Sequence, residues 1–456
     1  MCGIAGYVDF DRKGIDQAVL GAMAHALRYR GPDEQGVWVD GHCGLAHARL
    51  SIIDISGSHQ PLAPKDSDLA VVFNGEIYNY EALRSEQHAR GVRFETMGDT
   101  EALLRQIESD WTKAMPALDG MYAFAIWDRR AERLLLARDP LGKKPLFYAR
   151  PRPGLLIFAS EIKAILRHPE MTACLDVGAL AQALRFRGVY GSGTLYEGIR
   201  QVEPGCNLEF DRDGFRVSQH YRLLDQVSPK PDQSKSEATL VAQGRSLLES
   251  AVRKRLIADV PVGAFLSGGL DSSLIVALIR AARAPGETTH TFSVGFEGDP
   301  SSELPYARAV ADALGTCHAE VVVRAADYAS LLTRATVFRD APISEPADIA
   351  IHLMSMAAKQ TVKVVLSGEG SDEIFCGYPK YRFAAVPAPV RGLLRALGAQ
   401  RVARAAAVLG IDRRRSLIAA RALSGVTELE RLVQWFSYFE RHELQTLLPG
   451  LDWSPA

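Results

Sequence analysis

The apolar rhythm of this chain changes part-way along, and two rhythms of different period cannot be buried by one layer architecture. Residues 1 to about 210 carry short alternating apolar runs, Leu69–Phe73, Met121–Trp127, Leu134–Ala137 and Leu155–Ala159, cut by Gly, Asp and Pro. Such runs between turn residues predict an α+β half with much antiparallel sheet. From Asp211 to about Glu237 the sequence is polar and irregular, with Pro229 and Pro231 and few apolar residues, and reads as a linker. Beyond it, Val260–Leu266, Thr288–Phe296, Ala319–Val323 and Val362–Leu366 are apolar, β-branched runs with helical patterns between them. Ala307, Val310, Ala311 and Leu314 form one such helical face. Strand–helix alternation predicts a parallel sheet covered on both sides, with ligands beyond the carboxyl ends of its strands. After Pro387 the chain is rich in Ala, Leu and Arg and is expected to be helical.

Charge and cysteine usage narrow the chemistry. Lys+Arg 53 against Asp+Glu 54 gives a formal charge of −1, which supplies no basic field for a polyphosphate backbone and disfavours nucleic acid as a partner. The basic clusters Arg401–Arg404 and Arg413–Arg415 therefore read as solvated helix faces. The six cysteines, Cys2, Cys43, Cys174, Cys206, Cys317 and Cys376, include no C-x-x-C pair, which suits a reducing, cytoplasmic setting. No apolar run approaches the roughly 20 residues that span a bilayer, and the N-terminus lacks a secretory pattern, so no membrane partner is expected.

Cys2 directly follows Met1, and loss of Met1 would put a thiol and an α-amine on one residue, nucleophile beside base. Alone, that is a weak signal. Three segments strengthen it: Arg49-Leu50-Ser51-Ile52-Ile53, Asn74-Gly75-Glu76 and Gly98-Asp99-Thr100, each beside an apolar run. An Arg matches a carboxylate with two prongs, Glu76 and Asp99 can receive an ammonium, and Asn74 with the Gly75 N–H can supply two oxyanion donors. Together they can hold an α-amino acid. By itself Asn74-Gly75 reads equally as a hairpin turn with Glu76 a surface charge.

In the second half, Ser267-Gly268-Gly269-Leu270-Asp271-Ser272-Ser273 lies between the run Val260–Leu266 and a helical run Leu274–Ala284. Glycines admit close backbone approach, hydroxyls and N–H groups at the helix start face an anion, and Asp271 can hold a divalent metal. Without the Lys of a Walker A loop, a pyrophosphate loop of an adenylating enzyme fits better than a γ-phosphate cradle. Ser367-Gly368-Glu369-Gly370-Ser371-Asp372-Glu373 follows Val362–Leu366 in the same manner. Asp372 can join Asp271 on Mg²⁺, leaving Glu369 as base or substrate orienter. A ligand-free turn and buried structural carboxylates are the plainer alternatives.

The chain resembles the glutamine-dependent asparagine synthetases of the bacterial B type. The resemblance rests on Met1–Gly6, Arg30-Gly31-Pro32-Asp33, Ala48–Asp54, Phe73–Asn79, Gly98–Glu101, Ala137–Tyr148, Ser267–Ser273 and Ser367–Glu373, in that order, and covers residues 1 to about 385. It implies an α+β N-terminal-nucleophile (αββα) glutaminase domain over 2–210, a linker over 211–237, and an α/β parallel-sheet ATP-pyrophosphatase domain over 238–456. It further implies that Cys2 attacks the glutamine amide while Arg49–Ile53, Asn74–Glu76 and Asp99 hold glutamine. In the second domain it implies that Leu266, Ser267, Gly268, Gly269, Asp271, Ser272, Val294, Ser367 and Gly368 contact ATP. Asp271 and Asp372 would bind Mg²⁺, and Glu369 would assist formation of β-aspartyl-AMP from aspartate, which ammonia then converts to asparagine. The resemblance also implies a homodimer and internal passage of the ammonia. Relatives that amidate sugars or natural-product precursors, and a non-synthesising regulatory partner, are the alternative readings. The chain ends at Ala456, with no counterpart of two late motifs of the resembled family. The expectation is therefore a chain that hydrolyses glutamine but adenylates aspartate poorly.

Overall fold

A computed structural model of the protein describes residues 1–12, 14–228, 234–345, 347–378, 380–381 and 386–450. Its strands, in chain order, are β1 (Gly3–Asp9), β2 (Glu34–Asp40), β3 (Cys43–Arg49), β4 (Leu69–Ile77), β5 (Gly120–Asp128), β6 (Arg133–Arg138), β7 (Phe147–Arg152), β8 (Leu155–Ala159), β9 (Ile199–Gln201), β10 (Cys206–Asp211), β11 (Gly214–Gln219), β12 (Val262–Phe265), β13 (His290–Phe296), β14 (Cys317–Val323) and β15 (Val364–Leu366). They form an antiparallel sheet β2-β3-β1-β8-β7-β9, a second antiparallel sheet β11-β10-β6-β5-β4, and a parallel sheet β14-β13-β12-β15.

The two antiparallel sheets pack face to face through Ile4, Val8, Leu45 and Phe158 on one side and Val72, Ala125, Trp127 and Leu136 on the other. The outer face of the second sheet buries Val71, Phe73, Phe124 and Ile126 against the helices Tyr80–Ala89 and Asp99–Ser109. The first sheet lays Ala5, Tyr7, Ile157 and Ala159 against the helix Gln17–Ala26. Helix, sheet, sheet, helix is thus the order of layers. It explains the wholly apolar character of runs such as Leu69–Phe73: successive side chains point to opposite faces, and both faces are covered.

The parallel sheet is covered twice as well. One face packs Val262, Ala264 and Leu366 with Val276, Ile279, Ala307 and Ala311, and the other packs Phe292 and Val362 with Met354 and Ala358. Ala307 and Ala311 lie fully inward on the helix Leu304–Leu314, the face expected from their spacing.

One expectation needs correction. The polar stretch after Asp211 does not begin as irregular chain: β11 pairs with β10 from Phe215 opposite Phe210 to Gln219 opposite Cys206. Its one-sided burial against β10 tolerates the charged, polar residues that made it read as a linker, as an edge strand does. Pro229 and Pro231 lie outside the described residues.

By contacts the chain divides into two units, residues 1–174 with 191–367, and residues 175–190 with 368–456. The first holds all three sheets. Within the second, helix Val177–Phe186 is tied to the C-terminal helices by the Tyr438 N–H, which donates to the Arg185 carbonyl at 2.8 Å, and by Arg187 stacked 3.7 Å over the Tyr438 ring. Helices Ala388–Leu397, Ala399–Val408, Arg413–Ser424, Glu428–Phe436 and Arg441–Leu447 also belong to it, as the Ala/Leu/Arg composition predicts. The arginines at 401, 404 and 413–415 are exposed.

Candidate active site

Cys2 stands at the head of β1, where its thiol meets the segment after β3: the Leu50 N–H points at Sγ from 3.4 Å. Burial pushes the thiol up, and the Leu50 N–H and neighbouring cations oppose that push. Around it a pocket is lined by Arg49, Leu50, Ile52, Ile53, Ser58, Gln60, Phe73, Gly75, Glu76, Asp99 and Thr100. Three segments far apart in sequence therefore converge on the thiol. Ser51 stands behind this lining, buried, its N–H donated to Asp33 at 2.9 Å.

Asn74, Gly75 and Glu76 do not form a turn. They belong to β4, paired with Ala123, Tyr122 and Met121 of β5. Only a glycine fits at 75, because a Cβ there would run into the Met121 carbonyl oxygen. Asn74 is almost wholly buried, and its amide nitrogen has no hydrogen-bond partner. A buried unpaired donor costs about 1–3 kcal/mol, and Asn74 itself stands beside the pocket lining, between Phe73 and Gly75.

The pocket holds charges of both signs. Burial and then the nearby Asp99 charge push the Glu76 carboxyl well above its ordinary range, against Lys144 and the chain's amino terminus. Burial likewise raises Asp99 to about 6, although its Oδ2 accepts the Ile77 N–H at 3.0 Å. Cations nearby oppose these shifts, Lys144 for Glu76 and Arg49 for Asp99, and an added ammonium would act in the same sense. Arg49 stands close by, but much of its guanidinium is engaged: it donates to the carbonyls of Ile55 at 2.8 Å, Asp54 at 2.7 Å and Ile53 at 3.5 Å. It thereby shapes the loop that lines the pocket as well as offering charge to it.

Several residues here escape sequence reasoning. Arg30 donates Nε–H to the Cys2 carbonyl at 2.8 Å and pairs with Glu161 at 2.7 Å, and burial lowers it to about 10. Lys144 is buried near Cys2 and Glu76, which desolvation lowers as well. The amino terminus beside them is pushed down to about 5, chiefly by burial. Asp54 is left-handed at φ 48 and ties three segments together: its carboxylate accepts from Met97 N at 2.8 Å and Ser58 Oγ at 3.0 Å while its carbonyl holds Arg49. Arg30 and Asp54 fall inside motifs that carry the family resemblance, which was the one available signal.

In the parallel sheet, β12 and β15 are neighbours with Ala264 opposite Leu366, so Ser267 and Ser367 leave from adjacent carboxyl ends. After β12 the chain turns through Gly268 at φ +81, where a Cβ would strike the backbone of Ala307, and enters the helix Leu270–Ala282 at Gly269. The Ser267 hydroxyl meets the Ser272 hydroxyl at 3.0 Å, holding the loop closed across the helix start. Asp271 lies in the first helical turn. Leu266 is core, its N–H bonded to Phe292 O at 2.9 Å and its carbonyl accepting from Ser293 Oγ, so it supports the loop from beneath. Val294 is half-buried on β13. Ser367 and Glu369 are exposed, and Gly370 at φ +95 caps the short helix Ser371–Phe375, with Asp372 in its first turn. Among the described residues no group of three or more His, Cys, Asp or Glu side chains forms a metal cage. A carboxylate is the donor type that Mg²⁺ takes alongside phosphate and water, and Asp271 and Asp372 each supply one. No helix among the described residues is long and apolar enough to cross a membrane.

Comparison with known proteins agrees with this division of labour. Residues 1–222 match the glutamine amidotransferase domain family and residues 243–450 the asparagine synthase family. A glutamine-hydrolyzing asparagine synthetase 3 of Bacillus subtilis (strain 168) is 36% identical over 405 residues, 85% of this chain and 64% of that protein. A putative glutamine-hydrolyzing asparagine synthetase of Mycobacterium tuberculosis (strain ATCC 25618 / H37Rv) is 38% identical over 86% of this chain and 63% of its own length. For a putative glutamine-hydrolyzing asparagine synthetase 2 of Methanocaldococcus jannaschii, identity is 34% over 83% of this chain and 76% of that protein. The chain thus spans a little under two thirds of the first two relatives.

Proposed function

The chain belongs to the family of glutamine-hydrolysing asparagine synthetases, and from that premise we propose that it amidates L-aspartate to L-asparagine with ammonia taken from L-glutamine at the expense of ATP. The observation that carries the glutaminase half is the buried, unpaired amide nitrogen of Asn74 in the strand that also presents Glu76 to the Cys2 pocket. With Met1 removed, the α-amine of Cys2 accepts the thiol proton, and Sγ attacks the side-chain amide carbon of glutamine. The oxyanion develops against Asn74 Nδ2–H and the Gly75 N–H. Collapse expels ammonia, taking back the proton, and leaves a thioester that water cleaves to glutamate. Glu76 and Asp99 receive the substrate ammonium, and Arg49 faces its carboxylate. Leu50, Ser51, Ile52 and Ile53 form the wall behind it.

For the synthetase half, ATP would lie over the Ser267, Gly268, Gly269, Ser272 loop, with Val294, Leu266, Ser367 and Gly368 around the nucleotide. The exposed turn opening a helix supports this, because its N–H groups and helix start favour an anion. Asp271 and Asp372 would hold Mg²⁺, which would supply charge neutralisation on the pyrophosphate. Glu369 would orient the aspartate side-chain carboxylate for attack on the α-phosphorus with departure of pyrophosphate, and ammonia would then displace AMP from the β-aspartyl-AMP. The deciding experiment is a product assay with glutamine, ATP, Mg²⁺ and a panel of carboxylate acceptors headed by aspartate, read by mass spectrometry. Asparagine and glutamate formed together support the proposal. Glutamate with an amidated product other than asparagine reassigns the acceptor, and no glutamate at all overturns the glutaminase reading.

A further inference from the structure

The wall of the Cys2 pocket is not held by its own half of the chain alone. Ile52, Ile53 and Arg49 line the pocket, and Asp54, next along, is left-handed with its carbonyl accepting from Arg49 at 2.7 Å. That short loop is gripped at two points by one residue some two hundred positions away. The Asp259 carboxylate accepts the Asp54 N–H at 2.7 Å, and the Asp259 N–H donates to the Ile52 carbonyl at 2.9 Å. A third tie reaches the same loop through Lys363, whose ammonium lies 2.8 Å from the Asp33 carboxylate that accepts the Ser51 N–H. Asp259 stands just before β12, the strand that ends in the Ser267 turn, and Lys363 just before β15.

We infer that Asp259 is a positioning residue for glutamine: its two-point clamp on Ile52 and Asp54 keeps the Arg49–Asp54 loop in the form that binds substrate, so glutamine affinity depends on the second half of the chain. The inference rests on the reading of the Cys2 pocket as a glutamine site. Asp54 is left-handed, a conformation that costs a non-glycine residue energy and is kept by its surroundings; its carboxylate is held by Met97 and Ser58, and Asp259 holds its N–H. If its N–H is released, the peptide can relax, Arg49 loses the Asp54 carbonyl, and the pocket wall moves. Asp259 touches none of the reacting atoms, so it acts on binding and not on the chemical step.

The test measures glutamine hydrolysis in the full chain for Asp259→Ala, Asp259→Asn and Lys254→Met, with hydrogen exchange over residues 50–56. Lys254 is the control: its ammonium joins the two halves through Asp119 at 2.5 Å, a residue outside the Arg49–Asp54 loop. Asp259→Ala is expected to raise the glutamine KM about tenfold with kcat within about twofold, the scale of one charge-assisted hydrogen bond. Asp259→Asn keeps an acceptor and falls between, Lys254→Met matches the parent, and the Asp54 amide exchanges faster in Asp259→Ala. A KM within about twofold of the parent in Asp259→Ala, or an equal rise in Lys254→Met, overturns the inference. A parent protein that hydrolyses no glutamine instead defeats the proposed function, and Asp54 exchange then decides the clamp: unchanged protection in Asp259→Ala overturns it.

Discussion

Asn74 and Asp99 show how a side chain's surroundings decide what it can do. Asn74 is held in a strand, buried, with its amide nitrogen unpaired, and in the proposed reaction that fixed donor serves the oxyanion. Asn74→Ala should therefore lower kcat for glutamine hydrolysis by about 10²–10³ and leave KM within a few-fold, which steady-state kinetics will read. Asp99 gives a pH prediction. Its carboxyl is raised by burial to about 6, so above that pH it is an anion that attracts an ammonium and below it is neutral. The glutamine KM is expected to be flat above pH 7 and to rise as pH falls through about 6, and Asp99→Asn should raise KM at every pH and flatten that limb. Arg49→Lys keeps the charge but cannot reach both the loop carbonyls and a carboxylate, so KM should rise by at least about tenfold. A change under about threefold would mean that Arg49 does not bind the substrate.

Secondary-structure elements carry the backbone's share of the sites. The turn after β12 depends on Gly268, left-handed and pressed against Ala307. Gly268→Ala should cost roughly 1–3 kcal/mol through strain and clash, lowering the melting temperature, and should abolish ATP-dependent turnover. Asp271→Asn and Asp372→Asn keep the side chain's size and should remove ATP-dependent turnover while sparing glutamine hydrolysis. A parallel loss of hydrolysis, measured as glutamate release, would show instead that the two reactions are obligatorily coupled. At this scale the sequence was legible where an element carries its own punctuation. Glycines and serines between a β-branched run and a helical run announce a strand–turn–helix from local chemistry alone. Asn-Gly misleads for the same reason: locally it is turn chemistry, and only pairing with Met121–Ala123 of β5 makes it strand. The strand Gly214–Gln219 was illegible because an edge strand needs no apolar face of its own.

Cys2 and the Ser267 turn stand on different sheets, joined through Asp259, Lys363 and Lys254. Cys2→Ala should abolish glutamine-dependent product while leaving ammonia-dependent synthesis largely intact, because Cys2 stands at the head of β1 and the Ser267 and Ser367 turns leave the parallel sheet. Equal loss of both, in assays with glutamine and with ammonium, would overturn the two-site reading. What the sequence determined by itself is whatever local chemistry suffices to specify: the change of apolar rhythm and hence two sheet types, the glycine turns, a cysteine at position 2, and the candidates Arg49, Asn74–Glu76, Asp99, Asp271 and Asp372. Only the tertiary structure decided which of these meet and in what ionisation state. Glu76 and Asp99 have raised pKa values because folding buries them together, Arg49 is shared between loop carbonyls and pocket, and Asp54 is fixed by Asp259 from some two hundred residues away. Desolvation and long-range contact are properties of the packed chain, created when distant segments close around one another, and no local window of sequence contains them.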